Sequence, residues 1–222
     1  MVLYVGTKPY DAVIQTPSGW TKLAAGSGSN GTVANGNDVG SVLWATFYRE
    51  WQSGDTGPAV TITNGDATLG VIQSFSKDAG NAWVTPVAAK GSDTSSGTDF
   101  SLTLDADPGI TANDMLAHFA TIAGNNATFS TPTITATSAT IGTVTESPAT
   151  EGSTPFGFNL ESSASYALCT SGTGTAAPVV GWTLSVAQTG GGSIVRLRET
   201  IASGPILNLL LMAPMLTADA RS

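Results

Sequence analysis

The segment FSLTLDAD, residues 100–107, alternates apolar and polar side chains one by one. Successive side chains of a β-strand point to opposite faces of a sheet, so this period of two predicts a strand with one buried and one exposed face. The Pro108-Gly109 pair that follows predicts a turn. Short strand patterns separated by turn residues recur along the whole chain and indicate an all-β protein.

Two further segments have the pattern of buried strands. SVLWATFYREW, residues 41–51, is rich in aromatic and β-branched residues on both faces, which is typical of a central strand covered from both sides. DMLAHFATIA, residues 114–123, is similarly apolar. Thr111 and Asp114 resemble a helix capping box, but apolar residues with helical spacing do not follow, so we predict a strand there as well.

Turn residues divide much of the remaining chain. Asn64-Gly65-Asp66 separates residues 60–63 from residues 67–75, and this arrangement predicts a β-hairpin between the two segments. Loops are predicted at residues 24–40, between the hairpin and residue 98, and at the glycines 190–192.

Threonine dominates one face of TPTITATSATIGTVTE, residues 131–146. Thr133, Thr135 and Thr137 occupy alternate positions, which suits a sheet face that meets water or another protein. The segments SYALCTS, GWTLSV and SIVRLRE are further predicted strands. About ten strands of this kind, joined by turns, predict an antiparallel β-sandwich or jelly roll.

The domain organisation follows from the same patterns. We expect one β-sandwich domain at residues 1–204, with a subdivision near residues 108–112 or 147–157 as the alternative, and a separate apolar segment at residues 205–222. The sequence also contains a weak internal similarity, because two Gly-Trp-Thr segments are each followed by a predicted strand that ends in Arg-Glu. This similarity indicates either two similar halves or only the common pattern of sandwich strands.

The composition is poor in the residues from which enzymes build active sites. The 222 residues include one histidine and one cysteine, and 11% are charged, whereas 41% are hydrophobic. The chain can therefore bury a large core, and its neutral surface favours permanent packing against neighbours. The net charge of −8 and the scattered basic residues argue against nucleic acid as a partner. We expect no cofactor, no secretory signal and no membrane span.

Few side chains are candidates for chemistry. His118 lies inside an apolar strand pattern and is predicted to be a core or interface residue, and Cys169 a small buried residue; a Cys–His pair would need a contact that the sequence does not show. Asp105 and Asp107 could ligate calcium through their oxygens, but the same residues are ordinary turn formers.

Aromatic and apolar residues supply the remaining candidates. Trp44 and Trp182 lie in predicted strands and are expected in the core. Trp51 and Trp83 lie near loops, where each either packs against the protein or is an exposed ring that could stack against a glycan. The segment PILNLLLMAPML, residues 205–216, is strongly apolar. We expect its apolar side chains to be buried, either against its own domain or against a neighbouring subunit. Its interface candidates are Leu207, Leu209, Leu210, Leu211 and Met212.

The order of TPSGWT, a glycine-rich loop, SVLWATFYREWQSGD and then VTIT–turn–LGVIQSF resembles bacteriophage virion proteins of the jelly-roll or β-sandwich type. The positions that carry the resemblance are Pro17, Gly19, Trp20, Thr21, Phe47, Tyr48, Arg49, Gly54 and Asp55. The likeness covers residues 1–75 and is weak beyond residue 150. Similar proteins have another strand before the point at which this chain starts, so the resemblance implies an open sheet position that the apolar C-terminal segment could fill, from the same chain or from a neighbour.

The resemblance implies a non-enzymatic virion structural protein, such as a capsid decoration, cement or minor head protein present in multiple copies. Its partners would be major capsid or tail proteins and copies of itself, in a virion made in the host cytoplasm. The alternative is a tail-associated β-sandwich module that binds a receptor or host glycan. A hydrolase with a carboxylate pair is a third, separate class of function.

Overall fold

The computed structural model describes residues 1–9, 11–28, 41–65, 67–124, 128–147, 152–153 and 160–200, which form sixteen strands. The strands are β1 (Val2–Lys8), β2 (Val13–Ile14), β3 (Thr21–Gly28), β4 (Val42–Tyr48), β5 (Ile62–Thr63), β6 (Ala67–Gln73), β7 (Ala82–Trp83), β8 (Val87–Leu104), β9 (Met115–Ile122), β10 (Phe129–Thr135), β11 (Ala139–Ile141), β12 (Thr145–Glu146), β13 (Gly152–Ser153), β14 (Glu161–Gly172), β15 (Val179–Leu197) and β16 (Glu199–Thr200). These residues contain no helix, and so none that could cross a membrane.

Two antiparallel sheets make up most of the described chain. Sheet 1 has the strand order β3-β4-β1-β6, and sheet 2 has the order β10-β15-β9-β14-β11. In sheet 2, β8 pairs with β15, while β12 and β13 pair with β14. Two small sheets join β2 to β5 and β7 to β16. The prediction of an antiparallel, all-β sandwich-type fold is therefore confirmed.

Sheet 1 is apolar on both faces. On one face, Trp44 of β4 joins a core cluster with Phe119 of β9 and Ala164 of β14, so this cluster lies between the two sheets. On the other face, Phe47 of β4 packs with Trp20 in a cluster that also holds residues of β2 and β5. Side chains of β4 alternate between these two clusters, which confirms the prediction of a central strand covered from both sides for residues 42–48. Residues 49–51 of the predicted strand lie beyond β4, and Trp51 is exposed.

Sheet 2 surrounds a separate core on its other face. Phe100 of β8, Phe129 of β10 and Trp182 of β15 lie in this core with their ring centroids 5.8–6.2 Å apart. Residues 100–104 of the strand predicted at 100–107 form the end of β8, and Phe100, Leu102 and Leu104 contribute to this core, whereas residues 105–107 lie beyond the strand. Trp44 and Trp182 are 1% and 3% exposed, as expected for core residues.

The hairpin predicted across Asn64-Gly65-Asp66 is wrong. The chain does turn there, and Asn64 has a φ of 59°, in the left-handed region that asparagine tolerates. However, β5 before the turn pairs with β2, and β6 after it pairs with β1. The turn therefore carries the chain from one sheet to another, because each flanking strand has a better partner elsewhere.

Three predicted loops are strands over part or all of their length. The loop expected up to residue 98 contains β7 and most of β8, and the glycines 190–192 lie inside β15. Of the loop expected at residues 24–40, residues 24–28 belong to β3 and residues 29–40 lie outside the described chain. These stretches are poor in strand-forming residues, and pairing with neighbouring strands decides their structure.

The remaining segment predictions have mixed outcomes. Residues 114–123 form β9, and the capping-like contact exists as a turn, in which the Thr111 backbone N–H donates to Asp114 Oδ2 at 2.7 Å. Thr133 and Thr135 are exposed on β10 as predicted, but Thr137 lies in the turn after it. The two Gly-Trp-Thr segments differ in setting, because the first spans a turn before β3 whereas the second lies inside β15.

The open sheet position implied by the resemblance is not beside β1. This strand is hydrogen-bonded to β4 on one side and to β6 on the other. Among the described residues the outer edge of β6 has no partner strand. The apolar segment at residues 205–222, with Leu207, Leu209, Leu210, Leu211 and Met212, and most of the boundary at residues 147–157 lie outside the described residues.

Glycine controls how closely the two sheets approach. A Cβ atom at Gly191 of β15 would lie 2.0 Å from Cη2 of Trp44, and one at Gly26 of β3 would lie 2.7 Å from Cζ2 of the same ring. The indole of Trp44 therefore packs directly against backbone that has no side chain. This contact explains why a glycine run lies in the middle of a buried strand.

We expect Gly191→Ala to lower the free energy of unfolding by about 3 kcal/mol, because the new methyl group overlaps the Trp44 ring and the sheets must move apart. Gly57→Ala is the matched control, since a Cβ there meets no atom within 4 Å and its φ is not positive. Urea unfolding of both variants measures the difference. Equal stability of the two variants would contradict the proposed close contact.

Candidate binding groove

Two adjoining cavities open where the edge of sheet 1 meets β14 of sheet 2. Their volumes are about 460 Å³ and about 570 Å³. Both are lined by residues 74–76, which directly follow β6, and by Trp83 of β7. We call the two cavities together the aromatic groove. Its walls come from both sheets, so the packing of the sandwich fixes its shape.

Aromatic rings line the groove along its length. Trp51 is 62% exposed and lines only the larger cavity, whereas Tyr166 of β14 lines only the smaller one. Phe75 and Trp83 line both. Phe75 and Tyr166 are in edge-to-face contact, with their ring centroids 6.2 Å apart, and this pair connects the two sheets across the groove. The two tryptophans chosen from the sequence therefore meet at one site.

Polar groups stand between these rings. Gln73 is 6% exposed; its Nε2 donates to Ser147 Oγ at 2.5 Å, and its Oε1 has no hydrogen-bond partner among the described residues. Glu199 Oε2 accepts hydrogen bonds from the Asp78 backbone N–H at 3.0 Å and from Asn81 Nδ2 at 2.7 Å. Amide and carboxylate groups are thus held in place against an aromatic surface, as in sites for small polar ligands.

The larger cavity carries charges of both signs at its rim. Lys77 Nζ donates to the Asn81 backbone carbonyl at 2.5 Å. Glu50 accepts a hydrogen bond from Tyr48 Oη at 3.2 Å. Partial burial, together with the neighbouring Glu50 carboxylate, raises the pKa of Tyr48 to about 12, so this phenol remains a donor at neutral pH.

An ion pair lies beside the groove, in a neighbouring cavity that shares Asn113, Leu168 and Glu199 with the smaller cavity. Arg198 donates from Nε and Nη2 to the two carboxylate oxygens of Asp114, each at 2.7 Å, and Asp114 is 1% exposed. Nη2 also donates to the Gly109 carbonyl and to Thr111 Oγ1. These bonds to Asp114 raise the pKa of Arg198 and hold the loop before β9. The guanidinium is therefore used in structural contacts.

His118 lies in the core, apart from the groove. It is fully buried, its Nε2 contacts Ser165 Oγ, and its ring meets Trp182 edge to face with centroids 4.3 Å apart. Cys169 is buried four positions beyond Ser165 on β14, where its Sγ donates to the Ser171 carbonyl, so the two do not form a Cys–His pair. Both agree with their interpretation as buried residues.

The two calcium candidates, Asp105 and Asp107, both accept hydrogen bonds from backbone N–H groups. Asp107 Oδ1 accepts from the Gly109 backbone N–H at 2.8 Å, which is an ordinary Asx turn. Asp105 Oδ1 accepts from the Lys90 backbone N–H at 3.0 Å. The described residues contain no group of three or more His, Cys, Asp or Glu side chains placed to hold a metal ion.

Several groove residues were not identified from the sequence. Phe75 was taken as the end of a hairpin strand, Tyr166 as part of an ordinary strand, and Gln73 and Glu199 carried no motif. They are separated along the chain and meet only through the pairing of β7 with β16 and the contact between the sheets. No local pattern could have grouped them.

Because His118 is the single histidine of the chain, its titration can be followed directly. Burial lowers its pKa from 6.5 to about 3. The unfolded chain binds a proton on this ring near pH 6.5, so the stability it contributes above that pH is lost as the pH falls from 6.5 towards 3. We expect its imidazole NMR resonances to stay constant between about pH 8 and about pH 5 in the folded protein, and to titrate normally in urea. A folded-state midpoint near the usual value would place His118 in contact with solvent.

Comparisons with known proteins gave no identification. No family model, no curated protein and no solved structure matches the chain. The resemblance to bacteriophage virion proteins therefore stays a prediction from the sequence.

Proposed function

We propose that this chain is a non-enzymatic structural protein of a bacteriophage virion, most simply a capsid decoration or cement protein, that acts by packing in many copies against neighbouring virion proteins. The observation that carries this proposal is an exposed, almost uncharged face on sheet 2. We call it the hydroxyl face. Its members are Ser101, Thr103, Thr133, Thr135 and Thr183, and all are exposed.

The register of three strands builds this face. On β15, Gly181 lies opposite Ser101 of β8 on one side and opposite Thr133 of β10 on the other. The residues between the face positions, such as Val180 and Leu102, are buried in the core beneath. The outward positions therefore form one continuous surface across β8, β15 and β10.

The chemistry of the hydroxyl face suits adhesion. Asp99 is the one charged residue in the three paired segments 99–104, 129–135 and 179–184. Val179 adds an apolar side chain that is 57% exposed. Short hydroxyl side chains lose little rotamer entropy on burial, and a face with few charges adds little local repulsion to that of the net charge of −8 on each copy. A contact of the usual size, roughly 1,200–2,000 Å² in total, can form on such a surface.

The placement of the reactive side chains supports a non-enzymatic role. His118, the usual choice for a general base at neutral pH, is fully buried and stays neutral over the range in which most enzymes work. Cys169 is also buried, and burial raises the pKa of its thiol. The resemblance of residues 1–75 supports the assignment to a virion.

The tail-associated glycan-binding module remains the second candidate because Trp51 and Trp83 line the same cavity. The two functions use different surfaces, so each has its own test.

The virion role is tested by co-sedimentation of the purified chain with particles of a phage that encodes it, from which the native copies have been stripped. We expect saturable, stoichiometric binding, and cryo-electron microscopy of the pellet places the chain on head or tail. A chain that stays in the supernatant at all concentrations contradicts the proposal.

We expect Thr135→Lys to weaken this binding by at least about tenfold, because Thr135 lies opposite the uncharged Val179 and burying an unpaired ammonium at the contact costs more than 1.4 kcal/mol. Ser53→Lys is the matched control, since it adds the same charge at an exposed turn outside the hydroxyl face. Both variants should melt like the wild type. Equal particle binding by the two variants would show that another surface makes the contact.

A further inference from the structure

We propose that the aromatic groove binds a neutral oligosaccharide. This inference develops the glycan-binding candidate above and does not depend on the structural role, because the groove and the hydroxyl face have no residue in common.

The rings offer the apolar surface that a sugar needs. One face of a pyranose carries mainly C–H bonds, and it packs against the flat face of an indole or phenol ring. Trp51 is the most exposed large hydrophobic side chain among the described residues, and it lies on the rim of a cavity. Ile72 and Leu168 are each 42% exposed on the wall of the smaller cavity. This amount of exposed apolar surface in one place indicates a ligand site.

The polar groups distinguish a sugar from an apolar ligand. A hydroxyl group can donate and accept a hydrogen bond, and it can therefore satisfy an amide oxygen or a carboxylate. Gln73 is more than nine-tenths buried and lines the smaller cavity, yet its Oε1 has no partner among the described residues. An apolar ligand would leave this oxygen without a partner, at a cost of about 1–3 kcal/mol.

The charge of the groove suits neutral sugars. Glu50 and Glu199 contribute two carboxylates, and Lys77 and the N-terminal amino group of Met1 contribute two basic groups, so the formal charges of the lining balance. The Arg198 guanidinium is bound to Asp114 and to the loop before β9. The lining therefore has no excess of cations to attract carboxylate, sulfate or phosphate groups, and it suits uncharged hydroxyl groups.

The length of the groove calls for more than one sugar unit. Each cavity falls within the range of roughly 300–1,000 Å³ that is typical of ligand pockets. Trp51 lines one cavity and Tyr166 the other, with Phe75 and Trp83 shared between them. A ligand that contacts all four rings must extend through both cavities, as an oligosaccharide does and a monosaccharide does not.

The test uses the full chain, fluorescently labelled, on an array of neutral, sialylated and uronic-acid-containing oligosaccharides. The neutral oligosaccharide with the highest signal is then titrated by calorimetry beside its own monosaccharide. We expect binding of neutral chains alone, with the monosaccharide much weaker. Trp51→Ala should weaken binding by at least about tenfold, because an exposed ring that stacks on a ligand supplies much of the affinity.

Two variants make the result specific. Trp51→Phe keeps an aromatic ring and should restore part of the affinity, and Val186→Ala, which changes an exposed side chain outside the groove, should bind like the wild type. The inference is overturned by an array without signal, by binding confined to anionic sugars, or by unchanged affinity of Trp51→Ala. Thr135→Lys should bind the sugar normally, so failure here is distinct from failure of particle binding.

Discussion

The packing of the Trp44 indole against the backbone of Gly191 sets the distance between the two sheets, and the rest of the described fold depends on it. Gly191 lies in β15, the strand that pairs with β8, β9 and β10 and so organises sheet 2. Trp44 lies in β4, whose two faces contact the two cores of sheet 1. The groove depends on the same contact, because Phe75 follows a strand of sheet 1 and Tyr166 lies on sheet 2. A change in sheet separation would move the two rings apart.

Local patterns predicted the strands that bury their own side chains, and failed where distant pairing decides the structure. The alternation at residues 100–107 and the apolar run at residues 114–123 each identify a strand. A strand buried on one face leaves a period of two in the sequence, and a strand buried on both faces leaves a continuous apolar run. By contrast, residues 87–98 and the glycines 190–192 have low strand propensity. They become strands because they lie opposite each other in β8 and β15, and this pairing leaves no local signal. The asparagine–glycine turn failed for the same reason, since turn chemistry does not specify which strands pair.

In the candidate site, too, local sequence patterns predicted some features and missed those that depend on contacts between distant parts of the chain. Exposure of Trp51 near a loop was predictable from its flanking turn residues, and the burial of Trp44 from its place in a strand. The meeting of Trp51 with Trp83 was not, because it requires β6 to lead the chain to the groove and β16 to hold β7 beside it. Gln73 and Glu199 have ordinary polar identities in the sequence and acquire significance only from burial and from their neighbours. Sequence reasoning thus identified the ring types and missed the polar groups between them.

The two proposed surfaces reinforce each other in an assembly. A groove with open ends and one strongly exposed ring binds a neutral sugar weakly, because water competes for every hydroxyl group. On a particle that carries many copies, however, grooves are held at fixed spacing and bind a repetitive glycan together, which can increase affinity by a factor of about 10²–10⁴ without any new contact. The hydroxyl face would then hold many copies of the chain on one particle, and the combined binding of their grooves would compensate for the weak affinity of each sugar site. In that arrangement, loss of the hydroxyl face lowers glycan avidity on particles while the affinity of a single isolated groove stays the same.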